Sequence, residues 1–340
     1  MFSVVIPLYN KEQTIVNTIK SVLAQNYNNF EVVIVDDGST DKSLELAKSF
    51  FDNRIRIYSK KHRGVSAARN YAVSKSILDF IAFLDADDCW EPHYLSKMIE
   101  LIKKYPDCAL YGSAYNVIKR NDREVIGNTI KEGIITNYFF ERLQQRIMRT
   151  SATIVKKEVF DTVGGFPVGM VGGEDEYTWT KIALQNNIAF TPKVLATYNH
   201  IYNGSIWRNG QPDKCKESWF DFYKSGDFYR NEFVAQKAII AGIRYALGSS
   251  KDKSIEIERK TRYTQLSKSN WKYLYFLNRY PYLLAQILYK LNKKYSNMIE
   301  YLNFSPKHNK KLVNYFEINK NIDTTVLSVY MIFFFCYFLM

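Results

Sequence analysis

The sequence predicts an α/β fold, a mainly parallel sheet flanked by helices. Three observations carry this. Short β-branched runs alternate with segments of helical period from the first residues onward. The runs finish in polar groups, Asn10, Asp36, Asp37 and the cluster Asp85, Asp87, Asp88, as strands do where a parallel sheet collects its ligands. At 340 residues the chain is also long enough to bury a sizeable core.

Each element follows from its residues. "SVVIPLYN" (3–10) reads as a short buried strand stopped by Pro7, and "KEQTIVNTIKSVLAQ" (11–25) sets Ile15, Ile19, Val22 and Leu23 on one helical face. "FEVVIVDDGSTD" (30–41) is a second strand, followed by a helix over 43–51 capped by Asp41 or Thr40. "RIRIYS" (54–59) alternates as a strand, and "GVSAARNYAVSKS" (64–76) is a small-residue helix. "FIAFLDADDCW" (80–90) is the fourth strand of the series, with a helix expected near Glu91-Pro92. Beyond it, 113–127 reads as a hairpin turning at Asn121-Asp122, 136–148 as a helix, and 150–166 as a strand, a short helix and a glycine turn. "GGEDEYTWTKIALQNN" (172–187) starts a helix with three acids in its first turn, where the helix dipole favours them.

The formal charge of +13 is uneven: Lys and Arg exceed Asp and Glu by 3 over residues 1–210 and by 10 over 211–340. The basic third carries "WKYLYFLNRYPYLLAQILYKLNKKY" (271–295) and ends in the apolar segment 324–340. Basic, aromatic and apolar residues together point to a membrane surface, and no recognisable nucleic-acid module accompanies them, so nucleic acid is not an expected partner. The tail of 17 residues is shorter than the usual span of about 20. It is a short tail anchor, an interfacial helix or a helix packed on the domain. Four scattered cysteines suggest a reducing compartment, and the start shows no signal-peptide pattern. The expected division is a catalytic domain over 1–210, with halves 1–112 and 113–210, a helical basic extension over 211–323, and the tail.

The acidic cluster raises the sharpest question. Like charges this close repel and raise one another's pKa, so they need a cation or a set of donors. Asp85 and Asp87 flank Ala86, and Asp88 is either a further ligand or the cap of the helix beyond. "DDGS" after the second strand is a strand-ending turn or a binding group. A dehydrogenase is excluded, because "PLYNKEQT" has no glycine where G-x-G-x-x-G belongs.

Taken in order, "SVVIPLYN", "VDDGSTD", "GVSAARN", "FLDADD" and "GGEDEYTWTKI" resemble a family 2 glycosyltransferase of the GT-A fold, over roughly residues 1–205. The resemblance implies transfer of a sugar from a nucleotide diphosphate donor, a UDP-sugar, to a hydroxyl of a saccharide acceptor, possibly lipid-linked, as in surface-polysaccharide synthesis. It assigns Pro7, Tyr9, Asn10, Asp36 and Asp37 to the nucleoside. The Asp85-Ala86-Asp87 motif would hold a divalent metal, Mn2+ or Mg2+, with Asp87 the more direct ligand and Asp85 nearer the ribose. Such a hard cation takes oxygen ligands and bridges the phosphates of the leaving group. Arg69 would meet the diphosphate or an aspartate, and Asp175 would be the general base of an inverting transfer. His200 is a third metal or diphosphate contact or an ordinary polar residue; Asn199 stands where many relatives carry arginine. The competing reading is a protein of this fold that binds nucleotide sugar without catalysis. A cytosolic donor and a basic side next to the tail place the catalytic domain at the cytoplasmic face of the inner membrane, as a peripheral or tail-anchored protein.

Overall fold

The computed structural model describes residues 1–119, 122–199, 214–248 and 250–279. Met1–Arg279 form one compact unit. His200, the segment 280–295 and the tail 324–340 lie outside the described residues.

The first half is built as the sequence predicts. Strands β1 (Phe2–Leu8), β2 (Phe30–Asp36), β3 (Ile55–Ser59) and β4 (Phe80–Phe83) are parallel neighbours in the order β3-β2-β1-β4. They are connected by α1 (Ile15–Leu23), α2 (Ser43–Lys48) and α3 (Val65–Lys75). Pro7 does not stop β1; it pairs opposite Val35. β4 reaches only as far as Val5, so the side of Pro7 that lacks an N–H has no neighbouring strand to serve.

From there the sheet becomes mixed. β5 (Cys89–Trp90), α4 (Tyr94–Lys104), the long β6 (Cys108–Lys119) and β7 (Asp122–Ile126) come next, then β8 (Gly133–Ile134) and α5 (Tyr138–Gln144). The hairpin pairs Lys119 with Asp122, so Asp122 belongs to a strand. β9 (Thr153–Lys156) enters antiparallel between β4 and β6, and is succeeded by α6 (Lys157–Thr162) and α7 (Glu174–Ala183). The 13-residue β10 (Asn187–Asn199) runs parallel to β6 and antiparallel to β5. Neither β5 nor β10 is legible in the sequence: the first is two residues long, and the second contains Pro192 and register shifts that break its alternation. The chain continues in α8 (Phe228–Leu247), α9 (Lys251–Lys260) and α10 (Lys268–Arg279).

Successive residues of a strand face opposite sides of a sheet, and both sides here are covered. Val4, Ile6 and Leu8 pack with Ile15, Ile19 and Met98 of α1 and α4. Val5, Val33 and Val35 belong to the other layer with Ala68, Trp179 and Phe233 of α3, α7 and α8. That is why the strands read as continuous apolar runs. The second layer also anchors the chain after residue 214, since Trp219, Phe222 and Val234 are buried in it.

Candidate active site

β1, β2 and β4 end side by side, and the polar residues just past them form the site. Beyond β1, Tyr9 is 39% exposed and stacks on His62 with ring centroids 4.2 Å apart. Asn10 takes a left-handed backbone, φ 50°, and its side chain accepts from the Thr40 N–H. Asp36 and Asp37 are both buried but have different partners. Asp36 accepts from the Ser39 N–H, whereas Asp37 is gathered into the 60–64 loop by the N–H groups of Arg63 and Gly64, by Lys60, and by His62 at 2.9 Å. Lys60 and Arg63 thus serve the Asp37 loop through a side chain and a backbone N–H respectively.

Beyond β4 the three aspartates separate, because the chain turns at once: the Asp88 N–H donates back to the Asp85 carbonyl. Asp85 meets Arg69 of α3 at 2.5 Å. Asp87 is paired with Lys11 at 2.6 Å. Asp88 is fully buried and accepts from Ser151 Oγ and the Asn199 N–H, so it fastens β10 to the cluster. It caps no helix, because α4 starts at Tyr94 with His93 at its N-cap. The Ala86 carbonyl accepts from Thr14 Oγ1. Burial raises the Asp87 carboxyl above its ordinary pKa, with Lys11 opposing and Asp85 adding to the shift. Burial raises Asp88 further, reinforced by Asp87 and Asp85.

The second half arrives through Arg69. Its guanidinium is buried and spans Asp85 and Glu174, the latter at 3.0 Å, so the start of α7 is pinned to the end of β4. Burial raises the Glu174 carboxyl, Asp175 adds to this, and Arg69 opposes it. Gly172 and Gly173 precede α7 at φ 80° and 83°, a left-handed turn that suits glycine. The three acids of "GGEDE" then have three separate settings. Glu174 goes to Arg69, and Glu176 goes to Arg142 and to Lys237 of α8 at 2.7 Å. Asp175 accepts from Thr150 Oγ1 at 2.7 Å and from the Glu176 N–H.

Four residues of the site were not legible in the sequence. Lys11 comes directly after the first motif with nothing to mark it. Thr150 and Ser151 lie in a short 3₁₀ turn entering β9 and reach Asp175 and Asp88. Arg149 lays its guanidinium on the Tyr198 ring, 3.8 Å from its centre, with Asp175 and Asp88 close enough to favour its charge. Each of these residues acts only through a partner distant in sequence, which no local pattern announces.

As a cation site the cluster offers two carboxylates, Asp85 and Asp87, and among the described residues no three ligating side chains converge. Two carboxylates are a ligand set that suits Mg2+ or Mn2+, which commonly complete their shells with substrate phosphates and water.

Residues 3–164 match the model of glycosyl transferase family 2. The Escherichia coli UDP-Glc:alpha-D-GlcNAc-diphosphoundecaprenol beta-1,3-glucosyltransferase WfgD is 31% identical over 233 residues, 68% of this chain and 87% of that protein. An uncharacterized glycosyltransferase of Rickettsia conorii is 33% identical over 195 residues, 57% of this chain, and the match spans only 32% of that longer protein. In three dimensions the chain resembles S. aureus TarS 1-349 in complex with UDP-GlcNAc, with a TM-score of 0.59 and 18% identity over 86% of this chain and 92% of that one. The chain belongs to glycosyltransferase family 2, and its fold is that of the GT-A enzymes.

Proposed function

We propose that this protein transfers a sugar from a UDP-sugar to a hydroxyl of a saccharide acceptor carried on a lipid diphosphate, with inversion at the transferred carbon. The observation that carries the reading is the Asp85–Arg69–Glu174 bridge, which ties the residue next to Asp175 to the acidic end of β4. Exposed Tyr9 and Asn10 beyond β1, with the buried Asp36 at the end of β2, are the groups assigned to a nucleoside. A divalent cation held by Asp87 and Asp85 would neutralise charge on the departing diphosphate. Asp175, oriented by Thr150, takes the proton of the attacking hydroxyl. The activity named for WfgD supports a lipid-linked acceptor.

A panel of nucleotide sugars tests the donor. One UDP-sugar should be slowly hydrolysed with Mn2+ or Mg2+, and chelator should stop it. Binding of no uridine nucleotide would remove the reading, and full turnover in chelator would remove the metal from it.

A further inference from the structure

Among the described residues 13 large apolar side chains are exposed, and six of them, Phe140, Tyr223, Phe228, Tyr229, Tyr263 and Leu266, gather around the start of α8. They form connected groups: Phe140 lies 5.1 Å from Tyr229, Tyr229 lies 5.3 Å from Phe228, and Tyr223 lies 5.8 Å from Tyr263. The two groups meet at Asn231, which binds Lys224 through its side chain and the Tyr263 hydroxyl through its carbonyl. Apolar patches of this kind mark interaction surfaces.

The charge around the patch selects the partner. The neighbouring acids are already engaged by the protein's own donors: Asp221, though exposed, accepts from Tyr177 and the Ser218 N–H, half-buried Asp227 caps α8, and buried Glu232 accepts from Thr264, Gln265 and Leu266. The nearby cations Lys224, Arg259, Arg262 and Lys268 remain exposed. Amphipathic aromatic rings ringed by Lys and Arg match the boundary of an anionic bilayer, where rings enter the headgroup layer and cations meet phosphates. The patch also adjoins the acceptor half, because Phe222, next to Tyr223, packs 4.6 Å from Tyr177, two places past Asp175.

We infer that this surface docks on anionic lipid and so presents Asp175 to saccharides held at the bilayer. The inference deepens the proposed lipid-borne acceptor, and it is tested without turnover. The full chain should float with phosphatidylglycerol–phosphatidylcholine vesicles and not with phosphatidylcholine alone. Phe228→Ser with Tyr229→Ser, and separately Lys224→Glu with Arg262→Glu, should each lower the bound fraction at least about tenfold. Phe228→Trp should emit further to the blue on the anionic vesicles. UDP binding, measured alongside, reports the donor site independently: its failure counts against the transferase reading, not the docking surface. Variants that float like the native chain would overturn the assignment, as would a patch whose only role, by sedimentation, is to join two copies of the chain.

Discussion

Lys11 and Asp87, 76 positions apart, form a 2.6 Å ion pair in which the ammonium holds the carboxylate that a metal would need. A cation arriving at Asp87 must displace Lys11. Lys11→Met is therefore expected to tighten Mn2+ binding roughly ten- to a hundredfold, the worth of one hydrogen bond to a charged group. Titration calorimetry with Mn2+ alone measures this, and unchanged affinity would show that the pair does not compete.

Asp175→Asn keeps the shape of the side chain and removes the proton acceptor. Turnover should fall about 10²–10⁴-fold, with UDP affinity little changed. Thr150→Val should cost roughly tenfold in kcat, one hydrogen bond to a carboxylate, and Thr150→Ser should restore most of it. Near-native turnover in Asp175→Asn would remove the base, and product NMR showing retention would remove the inverting mechanism.

Arg69, itself buried, joins two partly buried acids, so Arg69→Met leaves Asp85 and Glu174 without their common cation. Such a loss destabilises by about 3–5 kcal/mol. Adding Glu174→Gln should recover part of it, because one of the two uncompensated charges is gone. A denaturation cycle over the four proteins reads the coupling, and additive effects would argue that the bridge does not act as a unit.

Asp88 has a folded-state pKa well above its ordinary value, so its ionised form costs stability that the protonated form does not. The native chain should lose stability as pH rises through that folded pKa, whereas Asp88→Asn should not. In chelator, the variant's advantage is expected to be largest above the folded pKa of Asp88 and to shrink as pH falls below it. A gap independent of pH would mean that Asp88 stays in one protonation state throughout.

The sequence by itself determined the alternating first half, β1 through β4 with α1 to α3, because the short β-branched runs of the strands and the helical segments between them are visible locally. It also determined which acids stand at strand ends, since a buried run that stops in aspartate leaves few other places for them. The tertiary structure alone decided what those acids do. "DADD" reads as one cluster, yet a single turn sends Asp85 to Arg69, Asp87 to Lys11 and Asp88 to Ser151 and Asn199. "GGEDE" likewise divides among Arg69, Thr150 and the Arg142–Lys237 pair. The physical reason is the same in both motifs: a buried carboxylate is positioned by its donors, and those donors come from elements 16 to 111 residues away, brought into reach only when the sheet closes.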